Sequence, residues 1–213
     1  MLNYKKNLEL LKRNHVYSKE MEHDACGVGL IASTEGKKSR AVVEYGIEAL
    51  KAVWHRGAVD ADGKTGDGAG IHVEIPKDFF IEKIQVTGHD YDNSEICVGM
   101  IFLPRNDYSA QESCKTIVES ELTKNNFSIY GWRQVPVNSK VLGEKALQTM
   151  PEIIQVLFKP NDPNLLDKNL ERKIYETRKR IENKAFDASL NNFYICSISS
   201  KSIIYKGLYL SLI

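Results

Sequence analysis

A glycine-rich segment at residues 55–70 constrains this chain more than any other feature. It lies between a predicted helix and a predicted strand and contains glycine at positions 57, 63, 66, 68 and 70. Glycine weakens regular structure, so a segment of this composition is not expected to form a helix or a strand. Because glycine has no Cβ, its backbone can also approach another group closely. We therefore predict a loop whose backbone lies against a ligand or against another part of the chain.

One cysteine, Cys26, differs from the other three in its surroundings. Cys97 and Cys196 lie inside apolar runs, and Cys114 lies on the apolar stripe of a predicted helix, so all three are predicted to be small core residues. Cys26 instead follows a polar stretch and is itself followed by glycine. The chain contains no Cys-x-x-Cys pair, so zinc is not expected. Cys26 is the candidate nucleophile.

The polar residues before Cys26 form a leader at positions 1–25, in which Leu8, Leu10 and Leu11 with neighbouring lysines allow only a short amphipathic helix. If this leader is removed, Cys26 carries both a thiol and a free α-amine. An α-amine has an ordinary pKa of about 7.7–8.0, so it can accept the thiol proton near neutral pH. One residue then supplies the nucleophile and its base. We predict a leader at 1–25 that is removed on maturation, followed by a domain at 26–213.

Composition excludes several classes of protein. The 213 residues are 42% hydrophobic and 27% charged, which is typical of a globular domain with a core. The formal net charge is +1, and no basic field favours a nucleic acid partner. No apolar run is long enough to span a membrane, and the N-terminus is unlike a secretory signal. These features predict a cytoplasmic protein.

The hydrophobic pattern predicts an α+β chain. The predicted strands cover residues 26–32, 71–75, 95–103, 127–137, 153–158, 193–198 and 203–209, and the predicted helices cover 39–54, 109–124, 141–150 and 165–184. Ser39 is the expected N-cap of the first helix, and Ser109 opens a capping box. Pro136 restricts its strand to a sheet edge or a strand end. The last two strands are joined by a tight Ser-Ser-Lys turn. We expect two sheets with helices packed outside them.

Two nucleotide-binding motifs and a metal site are rejected on context. Residues 27–32 match a dinucleotide fingerprint, but polar residues precede them and a turn follows them. Residues 63–65 resemble the end of a phosphate-binding loop, but the upstream glycine is one position off and no helix follows. Aspartates beside glycines are more typical of turns than of metal sites. The residues considered for a metal site are His55, Asp60, Asp62 and Asp67.

A set of short motifs, taken together, carries a family resemblance. The motifs are Cys26-Gly27-Val28-Gly29, His55-Arg56-Gly57-Ala58, Asp62-Gly63 and Gly66-Asp67-Gly68-Ala69-Gly70-Ile71. They resemble the start of a class II glutamine amidotransferase domain. A narrower resemblance, to the amino-terminal part of the large chain of bacterial NADPH-dependent glutamate synthases, rests on three further segments. These are Gly131-Trp132-Arg133-Gln134-Val135-Pro136-Val137, Tyr194-Ile195-Cys196-Ser197 and Ile204-Tyr205-Lys206-Gly207.

The resemblance implies a fold and a reaction. The fold is that of the N-terminal-nucleophile hydrolases, a four-layer αββα sandwich of two antiparallel sheets. In the reaction, Cys26 attacks the side-chain amide of L-glutamine, forms a glutamyl thioester and releases ammonia for transfer to 2-oxoglutarate. Arg56 and Gly57 align with positions that border the nucleophile and are the candidate substrate-binding residues.

The resemblance also implies partners and cofactors outside this segment. The complete enzyme is expected to use FMN, iron–sulfur clusters and NADPH, with no cofactor in this segment, and to include the rest of the large chain and a small subunit. The family's oxyanion hole is an Asn-Gly pair, and this chain contains no Asn-Gly dipeptide. We therefore expect the fold to be incomplete at the C-terminus and the chain alone to be inactive. An alternative hypothesis is a catalytically dead remnant that keeps the fold and only binds a partner chain.

Overall fold

The computed structural model describes residues 2–14, 27–53 and 58–208. The helices are α1 (Leu2–Arg13), α2 (Arg40–Ala52), α3 (Lys77–Val86), α4 (Tyr108–Lys124), α5 (Glu144–Thr149) and α6 (Asp167–Asp187), with a short 3₁₀ helix at Ser139–Val141. The strands are β1 (Ala69–Glu74), β2 (Cys97–Leu103), β3 (Phe127–Gln134), β4 (Glu152–Pro160), β5 (Tyr194–Ser199) and β6 (Ser202–Gly207). In the described part of the chain, no helix is long and apolar enough to cross a membrane.

The strands form two antiparallel sheets, as predicted. One has four strands in the order β3-β4-β2-β5, and the other pairs β1 with β6. The central strand β2 is buried along almost its whole length, because both of its faces are covered. β3 lies at the edge of its sheet and ends just before Pro136, which agrees with the restriction that proline imposes.

Two hydrophobic clusters cover the two faces of the four-stranded sheet. In the first, α4 and α6 pack against one face, and Leu122, Phe158 and Ile174 are buried there. In the second, the other face packs against α3 and the β1–β6 sheet, with Phe80 and Ile203 buried. Helix α2 in turn contacts β1. The two sheets are therefore stacked, with helices on their outer faces.

Helix α2 begins where the sequence predicts. The Ser39 hydroxyl accepts a hydrogen bond from the backbone N–H of Ala41 at 3.2 Å, which confirms Ser39 as the N-cap. The predicted cap of α4 is wrong by two residues. Asp107, not Ser109, is its N-cap, and its carboxylate accepts from the Ala110 N–H at 2.9 Å. The Asp107 carboxylate satisfies a free N–H at the start of α4, so the helix begins before the capping-box pattern.

The sequence pattern missed α3. This helix begins directly after Pro76 and buries only two large side chains, Phe80 and Ile84, four residues apart. The other apolar residues of α3 are Phe79, Ile81 and Val86, which do not continue the spacing of this pair, so the ten residues give a weak helical period. Packing against the second hydrophobic cluster therefore stabilises a helix that its own pattern does not predict.

Two predicted elements differ from the structure. Residues 27–33 form no strand, and Val28 and Leu30 are 92% and 89% exposed. Among the described residues, no strand pairs with this segment, so its alternating apolar residues gain no buried face. The predicted helix 141–150 is broken at Gly143, which lies between the 3₁₀ helix and α5.

The tight turn after β5 is confirmed, but it joins two different sheets. β5 pairs with β2, whereas β6 pairs with β1. Glu171 of α6 holds this turn through three hydrogen bonds. Ser200 donates its N–H and its hydroxyl to Glu171 Oε1, both at 2.7 Å, and Ser199 donates its hydroxyl to Oε2 at 3.0 Å. These bonds stabilise a turn that carries the chain from one sheet to the other.

Candidate active site

In the glycine-rich segment, residues 58–68 form a loop closed on itself, whereas Ala69 and Gly70, also predicted as loop, already belong to β1. Val59 and Gly66 form an antiparallel bridge, and the Asp60 N–H donates to the Thr65 carbonyl at 2.9 Å. The Asp67 N–H donates to the Ala58 carbonyl at 3.2 Å, which closes the base. The predicted loop is thus confirmed for these residues, and it has a defined shape.

Asp62 organises the tip of this loop. Its Oδ1 accepts from the N–H groups of Lys64 and Thr65 at 2.9 and 2.7 Å, and its Oδ2 accepts from the Thr65 hydroxyl at 2.5 Å. The hydrogen bond from the Thr65 side chain, followed by those from the backbone, lowers the pKa of Asp62 to about 2. The carboxylate therefore stays ionised at neutral pH and keeps the tip closed.

The loop lies against the start of α5. A Cβ added at Gly143 would lie 2.6 Å from the Thr65 nitrogen and would also overlap the Thr65 hydroxyl and the Asp62 carboxylate. Only glycine fits there without displacing the loop. Beside this contact, Lys145 pairs with Asp60 at 2.6 Å, which lowers the pKa of the Asp60 carboxyl. The predicted close approach of the segment's backbone is therefore found at Thr65, but the glycine that permits it, Gly143, lies outside the segment.

Two further glycines lie where this loop leads into the β1–β6 sheet. Gly70 of β1 lies opposite Lys206 of β6, and a Cβ at Gly70 would lie 2.9 Å from both the Lys206 Cβ and the Tyr205 carbonyl oxygen. Gly68 has φ of +114°, a conformation that side chains rarely adopt. These two glycines allow the loop to turn directly into β1.

A cleft of about 2170 Å³ opens at one end of the stacked sheets. Its walls include the first residues of β1, β4 and β5 and the last residues of β2 and β6, which meet there because the strands are antiparallel. The loop contributes Ala58, Val59 and Asp67. Gly27, which directly follows Cys26 in the chain, also lines the cleft. The cleft is wide enough for a small-molecule ligand, since such sites commonly enclose about 300–1,000 Å³.

The predicted catalytic and substrate-binding residues lie outside the described residues. These are Cys26, Arg56 and Gly57, and His55 also lies outside them. The structure does describe the segments that flank them, because Gly27 and Ala58 both line the same cleft. The roles of Cys26, Arg56 and Gly57 therefore stay predictions, supported by the location of Gly27 and Ala58 in one cleft.

The other three cysteines are buried, as predicted. Burial raises the pKa of the Cys114 thiol to about 11 and raises those of Cys97 and Cys196 as well. A thiol with a raised pKa is a poor nucleophile at neutral pH, because the thiolate is the reactive form. Within the described ranges, Asp60 and Asp62 are already bonded to Lys145 and to the loop, and no group of three His, Cys, Asp or Glu side chains could hold a metal.

A buried polar network, which the sequence pattern missed, reaches the same cleft. Gln155 lies in β4 and is fully buried. Its Oε1 accepts from Arg133 of β3 at 2.7 Å, and its Nε2 donates to the Tyr205 hydroxyl of β6 at 3.3 Å. Tyr205 lines the cleft. The only sequence signal was a single amide inside the apolar run of β4, and its partners lie far away in the chain.

Comparisons with known proteins identify the family. The family described as "Glutamine amidotransferases class-II" matches residues 26–213. The glutamate synthase [NADPH] large chain of Azospirillum brasilense is 52% identical over 208 residues, which cover 98% of this chain and 14% of that protein. The ferredoxin-dependent glutamate synthase 1 of Arabidopsis thaliana is 39% identical over 88% of this chain and 12% of its own length.

A third relative is also a glutamate synthase. The ferredoxin-dependent glutamate synthase 2 of Synechocystis is 38% identical over 90% of this chain and 12% of its own length. The chain thus spans about one-seventh or less of the glutamate synthases that it matches. The family match covers the loop, both sheets and the cleft, and it begins at the predicted nucleophile. The chain therefore belongs to the class II glutamine amidotransferases, and its sequence is similar to that of glutamate synthases.

Proposed function

We propose that this chain is the glutamine-hydrolysing domain of a glutamate synthase. The observation that carries the proposal is the 52% identity to a glutamate synthase large chain over 98% of this chain. The ammonia released from glutamine would serve the amination of 2-oxoglutarate in L-glutamate biosynthesis. The alternative of a catalytically dead remnant is not favoured, since the matching family is that of the glutamine amidotransferases and the relatives reported above are glutamate synthases.

In the proposed reaction, the Cys26 sulfur attacks the side-chain amide carbon of glutamine. The thiol proton passes to the α-amine of Cys26 and from there to the departing nitrogen, which leaves as ammonia when the C–N bond breaks. Water then attacks the glutamyl thioester, which releases glutamate and restores the thiol. Arg56 and Gly57, which directly precede the described loop, are proposed to border the nucleophile and bind the substrate.

The location of the cleft supports this assignment. Gly27 and Ala58 both line the cleft, and they directly follow Cys26 and Gly57 in the chain. The arrangement of two stacked antiparallel sheets, with α4 and α6 on one side and α2 on the other, supports the four-layer αββα fold of N-terminal-nucleophile hydrolases. In that fold, the nucleophile would lie at the end of the stacked sheets where this cleft opens.

The cofactors of glutamate synthases are proposed to lie in other parts of the enzyme. An iron–sulfur cluster needs several cysteine thiolates together. Cys97 and Cys114 lie in the first hydrophobic cluster and Cys196 lies in the second, and among the described residues no three such ligands come together. These residues therefore do not fit an iron–sulfur cluster. FMN, the iron–sulfur clusters and NADPH, together with the rest of the large chain and a small subunit, are proposed for the whole enzyme.

Glutamine hydrolysis tests the proposal directly. We expect the native enzyme that contains this chain as a domain to release glutamate from L-glutamine, and we expect an electrophilic glutamine analogue to label one cysteine of this domain. Peptide mass mapping should place that label on Cys26, because burial keeps Cys97, Cys114 and Cys196 protonated and inaccessible. Labelling of one of the three buried cysteines instead of Cys26 would contradict the assignment.

Removal of residues 1–25 is a separate prediction. The α-amine of Cys26 can act as the base only after the bond between Ala25 and Cys26 is cut, and the family match begins at residue 26. We expect N-terminal sequencing and intact-mass measurement of the native protein to give a chain that begins at Cys26. An active protein that retained Met1 or Leu2 would show that the α-amine is not the base.

A further inference from the structure

The buried network of Arg133, Gln155 and Tyr205 links the two sheets. Arg133 and Gln155 belong to the four-stranded sheet, and Tyr205 belongs to the β1–β6 sheet. Gln155 is 0% exposed, so its amide depends on these partners for hydrogen bonds. The guanidinium of Arg133 also lies 5.2 Å from the centre of the Phe79 ring, which holds it in place.

The chemistry of the three groups fixes the direction of each hydrogen bond. A guanidinium can only donate, so the oxygen of the Gln155 amide must face Arg133. The NH₂ group of Gln155 then faces Tyr205, and the Tyr205 oxygen must accept from it. A hydroxyl carries a single proton. The Tyr205 proton is therefore directed away from Gln155 and can be donated to a third group.

Tyr205 lines the cleft that Gly27 also lines. The apolar side chains of Met100, Phe102 and Ile153 line the same cleft and belong to the hydrophobic cluster against which Tyr205 packs. A hydrogen-bond donor on an apolar wall gives a ligand a fixed orientation. Its hydrogen bond is also stronger where water is excluded.

We propose that the Tyr205 hydroxyl donates a hydrogen bond to an acceptor oxygen of the glutamine or glutamyl group in the cleft. Arg133 and Gln155 are positioning residues that keep Tyr205 in the donor state. The inference rests on the proposed glutaminase function and adds a residue that recognises the substrate of that reaction.

Two substitutions test this inference by different routes. Tyr205→Phe removes the hydroxyl and keeps the ring that packs on the second hydrophobic cluster. Gln155→Glu keeps Tyr205 but replaces the donor that faces it with a carboxylate, which can only accept. The Tyr205 proton then turns toward the new carboxylate, while Arg133 retains an acceptor. We expect either change to raise the KM for glutamine and the Kd for glutamate about tenfold, the scale of one lost hydrogen bond.

The measurements are glutaminase kinetics, titration calorimetry with L-glutamate, and thermal unfolding of each variant. Tyr175→Phe is the control, because Tyr175 is 59% exposed on α6 and does not line the cleft. We expect this control to keep the KM and the Kd of the unsubstituted protein. A similar Tm for Gln155→Glu and the unsubstituted protein, with a raised KM, would separate ligand binding from a merely structural role.

The outcomes separate the inference from the function on which it rests. If Tyr205→Phe hydrolysed glutamine with an unchanged KM and bound glutamate with an unchanged Kd, the inference would be overturned and the proposed function would stand. A raised KM in Tyr205→Phe with an unchanged KM in Gln155→Glu would overturn the positioning role of Gln155. A complete, unsubstituted enzyme that neither binds nor hydrolyses glutamine would overturn the proposed function, and this inference with it.

Discussion

Replacing Cys26 with alanine is expected to abolish glutamine-dependent activity. Without the sulfur no thioester forms, and loss of a covalent nucleophile lowers kcat by at least about 10⁴-fold. Activity with added ammonia should survive, because the amination step is proposed to occur in another part of the enzyme. The measurement compares glutamate formation from glutamine with that from ammonia, in the Cys26→Ala variant and in the unsubstituted protein.

The three buried cysteines supply matched controls for this substitution. Cys97→Ala, Cys114→Ala and Cys196→Ala each remove a sulfur from a packed cluster, so each is expected to lower the free energy of unfolding by roughly 1 kcal/mol. None should change glutamine-dependent turnover in the folded protein. Glutamine-dependent turnover that persisted in Cys26→Ala, or that vanished in one of the controls, would show that the nucleophile is misassigned.

Replacing Gly143 with alanine is expected to displace the loop at residues 58–68. The new Cβ would overlap Asp62 and Thr65, including a backbone nitrogen that cannot move without the loop. We expect a loss of roughly 1–3 kcal/mol in the free energy of unfolding, the usual cost of overpacking. Glutaminase kcat/KM should fall about 10²-fold, because the loop directly follows Arg56 and Gly57 and a shift of about 1 Å misplaces them. Denaturant unfolding and steady-state kinetics measure the two effects.

Gly46 provides a matched glycine control. It lies in α2, and a Cβ there would meet only the Ile71 side chain at an ordinary 3.5 Å. Gly46→Ala is therefore expected to leave glutaminase activity unchanged, and it should stabilise α2 by up to about 1 kcal/mol. Equal activities for Gly143→Ala and Gly46→Ala would show that the contact between Gly143 and the loop has no role in the site.

Elements with a strong local pattern could be predicted from the sequence. The apolar run of β2 predicts a buried strand, which is confirmed. The stripe of Cys114, Ile117, Val118 and Leu122 predicts the inner face of α4; three of these residues are buried, and Ile117 is partly buried. Residues 27–33 show the limit of such patterns. Their alternation favours a strand, but a strand also needs a hydrogen-bonded partner, which the local sequence does not specify.

The site was predictable only in part, because the local sequence does not specify which distant residue a group will contact. Close backbone contact near the glycines follows from their missing Cβ, but the sequence does not reveal that Gly143 is the partner. Likewise, Gln155 in an apolar strand signals a buried polar group, but its contacts with Arg133 and Tyr205 depend on how the two sheets stack. Such contacts join residues far apart in the chain, and only the folded topology brings them together.

The pairing of β1 with β6 has a consequence for synthesis of the protein on the ribosome. Ala69 pairs with Gly207 and Glu74 with Ser202, so β1 emerges about 130 residues before its only sheet partner among the described strands. At roughly 5–20 residues per second, that interval is on the order of 10 s. During this time, β1 lacks the one partner that the described strands give it, and an unpaired strand edge favours association between nascent chains. The β1–β6 sheet beside the cleft therefore forms late. The rate of translation through the segment before β6 determines how long β1 can associate with other nascent chains.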